Sequence, residues 1–97
     1  MKGIWATDLR PTPKSEAYYK EFKILTTKGQ IFSGEFYGSP FENGQFNSDW
    51  VKIYFAFPSA DQQNTYYHSG FFEEDKISGV SFSADRKFLS HWSGYKK

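Results

Sequence analysis

Apolar and polar residues alternate with a period of two through most of the chain, which is typical of β-strands that bury one face. The alternation is clearest in WVKIYFAFP (50–58). One face of this segment is predicted to be apolar and comprises Val51, Ile53, Phe55 and Phe57. The opposite face is predicted to carry Trp50, Lys52, Tyr54 and Ala56. A strand with this pattern fits the wall of a barrel or a sandwich.

Glycine, proline and short polar runs separate further segments of this kind. The other predicted strands are residues 2–9, 17–27, 30–38, 65–73, 77–83 and 87–95. Because most connections between them are short, consecutive strands are predicted to pair as hairpins. The predicted fold class is all-β, an antiparallel meander of six to eight short strands that closes into a small barrel or a coiled roll. Residues 1–97 are predicted to form a single β domain.

Two segments are less regular than the rest. The apolar positions of AYYKEFKILTT (17–27) fit a helical face and a strand face equally, so residues 17–24 are open between a helix and a strand. We predict a strand that ends in a two-residue turn at Lys28-Gly29. SPFENGQFNSD (39–49) is predicted to be the longest loop, with Asn43-Gly44 as a tight turn in its middle.

The dipeptide Ser-Gly occurs four times inside or near the end of a predicted strand, at 33–34, 69–70, 78–79 and 93–94. Glycine within a strand normally costs stability, so a repeated placement suggests a geometric purpose. Glycine permits the sharp coiling that a small closed barrel needs, and it leaves room for a ring to lie over the backbone. The alternative is that the four glycines are unrelated.

A further pattern is formed by Gly3-x-Trp5 on the first predicted strand and by Trp92 in the late segment HWSG. In this respect the chain resembles the calycins, the superfamily of lipocalin, fatty-acid-binding and avidin-like meander barrels. The resemblance implies that Trp5 packs against the closed end of a barrel and that the barrel binds a ligand. Most calycins are longer, and 97 residues spread over seven or eight strands predict short barrel walls.

Aromatic residues make up 22% of the chain, with 11 Phe, 7 Tyr and 3 Trp. This exceeds what a core of this size holds, so several rings are predicted to lie on the outside. The candidates for a partner-binding surface are Trp50, Tyr54, Tyr67 and Trp92. The candidates for a ligand pocket at the barrel mouth are Phe32, Phe36, Phe55, Phe57 and His68.

Charge is almost balanced, with 12 Lys and Arg against 11 Asp and Glu, for a net charge of +1. A dedicated nucleic-acid binder usually has a strong basic excess, so nucleic acid is an unlikely partner. A small barrel that binds single strands stays as an alternative, because YYKEFK and DRKFLSHW interleave basic and aromatic residues. The chain has no Cys and no apolar run of about 20 residues that would span a bilayer.

No catalytic residue, metal site or cofactor is predicted from the sequence. His68 and His91, with the acidic run 73–75, are the only metal-site candidates, and no ligand spacing supports them. A barrel enzyme, the other alternative, would require Glu21 or Glu35 beside His68.

The function predicted is therefore non-enzymatic binding. The partner would be a small apolar molecule or glycan at the barrel mouth, a protein on an aromatic face, or a second copy of the chain. MKGIWATD has no apolar segment typical of a signal peptide, so the compartment stays open. A soluble protein is expected, and a secreted or periplasmic location is compatible if a leader has been removed.

Overall fold

The polypeptide forms one antiparallel sheet that closes on itself. A computed structural model describes residues 2–10, 12–60 and 63–97. Within these ranges the strands are β1 (Gly3–Asp8), β2 (Tyr19–Lys28), β3 (Ile31–Phe36), β4 (Ser39–Asn47), β5 (Ile53–Ala60), β6 (Thr65–Glu73), β7 (Lys76–Ser83) and β8 (Phe88–Lys96). Each strand pairs with the next, and β8 returns to pair with β1. The prediction of an all-β meander is confirmed, and the meander closes into a barrel.

The segment 17–27, which fitted both a helix and a strand, contains strand β2 and no helix. Phe22 and Ile24 are buried two positions apart, whereas Leu25 is exposed. The period is two because pairing with β1 and β3 overrides the local helical pattern. The turn that follows lies one position later than predicted, at Gly29-Gln30, where Gly29 has a φ of 61°.

The prediction of a loop over 39–49 is wrong. Ser39–Asn47 is β4, and the hairpin turn before it lies at Tyr37-Gly38. Asn43 has a φ of 63° but lies in a β-bulge, where β4 has one extra residue opposite the part of β3 around Ser33. Asn tolerates positive φ in turns and bulges alike, so the dipeptide Asn-Gly did not distinguish between them.

β5 begins at Ile53, three residues later than predicted. Trp50 and Val51 precede it in the connection from β4, and both are exposed. Phe55 and Phe57 are buried, and Ile53 shares their side of the strand but is partly exposed at its first position. The apolar alternation therefore begins before the strand does.

The barrel interior is filled mainly by aromatic rings. Its buried cluster consists of Trp5, Phe22, Ile24, Phe32, Phe36, Phe41, Phe55, Phe57, Phe72, Ile77 and Trp92. Phe22 and Phe57 are central, with ring centroids 5.0 Å apart. Rings of this size let a 97-residue chain fill a closed barrel with few side chains.

The four Ser-Gly steps lie where a backbone or a ring leaves no space for a side chain. A Cβ at Gly34, Gly70 or Gly94 would overlap a backbone carbonyl oxygen of the adjacent strand. A Cβ at Gly79 would lie 2.5 Å from the ring of Trp92. The predicted room for a ring over the backbone is found at Gly79, and at the other three steps glycine permits the close approach of a neighbouring strand.

The contact between β4 and β5 is the shortest of the ladders between described strands. It has three residue pairs, 45–47 opposite 54–56, whereas β5 and β6 share eight. Beyond these pairs a groove of about 400 Å³ separates the two strands, with Pro40 on one side and Pro58 on the other. We call this region the β4–β5 seam.

Gly79→Ala is expected to lower the free energy of unfolding by about 1–3 kcal/mol, because the added methyl group displaces the Trp92 ring or the backbone of β6. Urea unfolding followed by tryptophan fluorescence measures this change. Ser69→Ala, on the exposed side of β6, is the control and should shift stability by less than about 0.5 kcal/mol. Equal unfolding midpoints for Gly79→Ala and the wild type would contradict the close packing of the ring.

Candidate functional site

The five side chains predicted to line a ligand pocket all lie in the core. The rings of Phe36 and Phe57 are 5.4 Å apart between centroids, and each lies within 4.6 Å of the His68 ring. Phe32 and Phe55 are 6.0 and 6.1 Å from Phe57. These are the distances of packed aromatic pairs, so the five rings contact one another around Phe57.

His68 belongs to a buried polar network among these rings. Its Nε2 lies 2.7 Å from Ser59 Oγ, and its Nδ1 lies 2.6 Å from Ser81 Oγ. Trp92 Nε1 donates to Ser81 Oγ at 2.9 Å. A neutral imidazole with its proton on Nε2 gives each of these atoms a partner. Burial lowers the pKa of His68 to about 4, so the ring stays neutral near neutral pH.

Trp92 is therefore not on the partner-binding surface, where the sequence placed it. Its side chain is 2% exposed and lies over Gly79, with which it pairs in the β7–β8 ladder. The hydrogen bond to Ser81 explains how the indole N–H can be buried. The other three surface candidates, Trp50, Tyr54 and Tyr67, are exposed.

The acidic residues considered for catalysis lie away from His68, on the outside of the barrel. Glu21 Oε2 is 2.9 Å from Lys97 Nζ, and Glu35 Oε2 is 3.9 Å from Lys23 Nζ. His91 faces outward from β8, and its Nε2 lies 3.0 Å from the Ser78 hydroxyl. Strand β7 separates it from His68 on β6. In the ranges described, no three His, Cys, Asp or Glu side chains come together as a metal site.

The outer surface of β5–β8 has a different character from the core. The strand register aligns outward residues of these strands in rows, and three uncharged rows cross all four strands. A fourth row beside the third, Glu73, Lys76 and Tyr95, carries charge and borders them. The first row is Pro58, Tyr67, Phe82 and Leu89. The second is Ala56, Ser69, Val80 and His91. The third is Tyr54, Phe71, Ser78 and Ser93. None of these twelve residues is Asp, Glu, Lys or Arg, and we call them the β5–β8 face.

The first row forms a ridge along one side of the β5–β8 face. Leu89 is 72% exposed, Tyr67 58% and Phe82 46%. The ridge is continuous because these three residues are direct partners in the ladders of β6, β7 and β8. Exposed aromatic and aliphatic side chains at neighbouring positions are typical of protein-binding surfaces.

The second and third rows form a shallow groove beside the ridge. Its volume is about 500 Å³. The outward residues that line it are Tyr54, Ser69, Phe71, Ser78, Val80 and His91. Gly70 and Gly79 also line it, and the small residues in its middle account for its depth. Trp50 stands at its edge in an edge-to-face contact with Tyr54, with centroids 6.2 Å apart.

Charge is concentrated on other parts of the barrel. On the outer surface of β2 and β3, Lys23 forms ion pairs with Glu21 and Glu35. Glu21 forms a second ion pair with Lys97. An ion pair between Lys52 and Glu73, at 3.4 Å, borders the β5–β8 face. The Lys52 ammonium also lies 4.1 Å from the centroid of the Phe71 ring. The outer surface therefore has an ion-paired region on β2 and β3, and on β5–β8 an uncharged region that Lys52, Glu73 and Lys76 border.

Sequence reasoning missed Val80, Phe82 and Leu89, which are central to the β5–β8 face. An alternating pattern is normally read with the apolar residues inside, but in β7 the inward positions after Ile77 are Gly79 and two serines. Once the structure shows Ile77 buried, the alternation of β7 places Val80 and Phe82 outside, but the sequence of β7 alone does not show which of its faces is inward.

The free energy of unfolding is expected to fall as the pH drops from about 6.5 towards 4. The pKa of His68 is lowered from 6.5 to about 4 in the folded protein, so the unfolded chain binds more protons between these values. The contribution of the neutral ring is complete above pH 6.5, and the loss reaches up to about 3 kcal/mol near pH 4. Urea unfolding at a series of pH values measures it.

His68→Gln should remove most of this pH dependence between 6.5 and 4, whereas His91→Gln, on the exposed surface, should retain it. The slope of stability against pH is the measured quantity, so a lower stability of His68→Gln at neutral pH does not affect the test. An unchanged slope in His68→Gln would show that the imidazole is not held neutral by burial.

Among the residues described, no helix has both the length and the apolar character needed to cross a membrane. Comparison of the chain with models of protein families, with curated proteins and with solved structures gives no match. The function has therefore to be argued from the barrel and its two surfaces.

Proposed function

We propose that the protein is a non-enzymatic binding module that holds a protein partner on the β5–β8 face. The observation that carries this proposal is the unbroken row of exposed apolar side chains at Tyr67, Phe82 and Leu89 on a face without formal charge. Apolar surface in water costs free energy, and covering it with a partner recovers roughly 25 cal/mol for each Å². Fixed strands present these side chains, so little ordering is needed on binding.

The packing of the core favours a protein partner over a small apolar molecule inside the barrel. Phe32, Phe36, Phe55 and Phe57 contact one another and His68, which leaves them occupied as core residues. A guest among them would have to displace rings whose packing holds the barrel together. A glycan at the barrel mouth is the second form of the ligand alternative, and a guest retained in native mass spectrometry would support it.

The calycin resemblance is compatible with this proposal at the level of architecture. Gly3 lies beside the ring of Trp5, which is buried against Phe22 and Phe72. We propose that the chain is a short calycin-like barrel in which the interior serves stability and the outside serves binding. A small interior filled by rings fits this division, because an eight-stranded barrel is just wide enough for side chains to fill.

The distribution of charge also favours a protein over a nucleic acid. Lys23 lies between Glu21 and Glu35, and Lys20 lies near the rings of Tyr18 and Tyr37. Beside the aromatic rings of the β5–β8 face, the cation that contacts a ring is Lys52, and its charge is paired with Glu73 instead of being left for phosphates. Saturable binding of single-stranded DNA that weakens steeply with added salt would replace this proposal with the alternative of a nucleic-acid binder.

A photo-crosslinking amino acid at position 67 is expected to give protein adducts that the same amino acid at position 25 does not give. Both positions are exposed, but position 67 is on the β5–β8 face and position 25 is on β2. The adducts are identified by mass spectrometry after irradiation of cells that produce each variant. Affinity for the identified protein is then measured with purified components.

Tyr67→Glu should weaken that affinity by more than about tenfold, because it places a charge in an apolar contact, and Leu25→Glu should leave it unchanged. Circular dichroism checks that both variants are folded. The proposal fails if positions 67 and 25 give the same adducts, or if Tyr67→Glu binds the identified partner as tightly as the wild type.

A further inference from the structure

We infer that the β5–β8 face binds a second copy of this chain, in a two-fold symmetric dimer in which the ridge of each copy enters the groove of the other. This inference rests on the proposed function and names its partner. In a two-fold dimer the same surface is used twice, so a contact from one residue to another must be repeated in reverse. The face therefore has to contain both halves of the contact.

The ridge and the groove are the two halves. The ridge consists of Tyr67, Phe82 and Leu89, and the groove begins one row away, at Ser69, Val80 and His91. Neighbouring rows are two residues apart along each strand, or about 7 Å. A two-fold axis that lies in the interface, parallel to the rows and between ridge and groove, places each ridge over the opposite groove.

The strand order fixes which contacts this symmetry makes. Rotation about an axis parallel to the rows exchanges ridge and groove but keeps each strand over its own copy. Leu89 of one copy then lies over His91 and Ser93 on β8 of the other, and Phe82 lies over Val80 and Ser78 on β7. The groove is lined in its middle by Ser and Gly of β6 and β7, so at the centre of the contact these strands of the two copies can approach to the spacing of about 10 Å that packed sheets adopt.

The absence of formal charge from the twelve residues of the β5–β8 face favours a second copy over an unrelated protein. A two-fold contact brings each charge near its own image, so a charged face repels itself unless opposite charges are suitably placed. This face has no such cost. It also has no charge with which to select or steer a different protein, which is how unlike partners usually gain specificity and rate.

The exposed apolar area is of the size that a weak dimer needs. A fully exposed aromatic side chain has a surface area of about 150–250 Å². With the exposed fractions of the three ridge residues and of Tyr54 and Val80, the exposed area is on the order of 500 Å². A stable interface buries about 800 Å² on each partner, and weaker ones bury less. The serines and Ala56 between the apolar residues add to this area. We expect a reversible dimer that dissociates on dilution.

Sedimentation velocity over a series of protein concentrations tests this inference. The wild type should pass from monomer to dimer as the concentration rises. Leu89→Glu should raise the dimer dissociation constant by more than about tenfold, because it places a carboxylate in the opposite groove. Leu25→Glu is the matched control on β2 and should dimerise as the wild type does.

Ser69→Trp separates insertion of a ridge into a groove from general apolar adhesion. Adhesion would increase with the larger apolar side chain, whereas a filled groove should weaken the dimer as much as Leu89→Glu does. This second variant also keeps the test decisive if Leu89→Glu does not fold, which circular dichroism reveals.

A wild type that stays monomeric up to millimolar concentration overturns the inference, and so does a dimer that Ser69→Trp leaves intact. The proposed function survives such a result if position 67 still crosslinks to a different protein. If the adducts from position 67 match those from position 25, the proposed function itself fails.

Discussion

The packing of Trp92 over Gly79 determines the arrangement of the second half of the barrel. The indole occupies the space where β7 would otherwise carry a side chain, and its N–H needs the Ser81 hydroxyl two residues further on. The inward positions of β7 beyond Ile77 must therefore be small or polar. Because side chains alternate along a strand, the larger residues Val80 and Phe82 are left on the outside. The apolar outer face is thus a consequence of how the core is filled.

Burial of His68 also depends on the small and polar residues inside the barrel, because Ser81 is one of its two hydrogen-bond partners. A ring of this size fits among Phe36, Phe57 and the serines, and its two nitrogens make use of hydroxyl groups that would otherwise lack partners in the core. The imidazole and the serine hydroxyls can be removed from water because they hydrogen-bond to each other. A polar network of this kind restricts the core to one arrangement, since a shifted ring would leave buried donors and acceptors unpaired.

The sequence was sufficient to predict the architecture, because alternation and turn residues depend on neighbours along the chain. It predicted β1 to β3 and β5 to β8, and the Ser-Gly steps indicated where strands and rings come close. It failed for β4, where Asn43 occurs in a bulge rather than a turn. It also placed Trp92 outside and overlooked Leu89, because the inward phase of β8 is set by pairing with β7 and not by local composition. The ridge and groove exist only through the register of four strands, so no single segment could reveal them.

The β4–β5 seam contains the shortest ladder between described strands of the barrel. Only three residue pairs join the two strands there, so a transient separation breaks fewer hydrogen bonds than at any other ladder between described strands. Such an opening would turn the closed barrel into an open sheet with β4 and β5 as its edges. Exposed edges invite pairing with other chains, and proline interrupts that pairing because it has no N–H. Pro40 and Pro58 lie on these two edges, so if the strands separate, two positions beside the short ladder cannot donate a hydrogen bond to another chain.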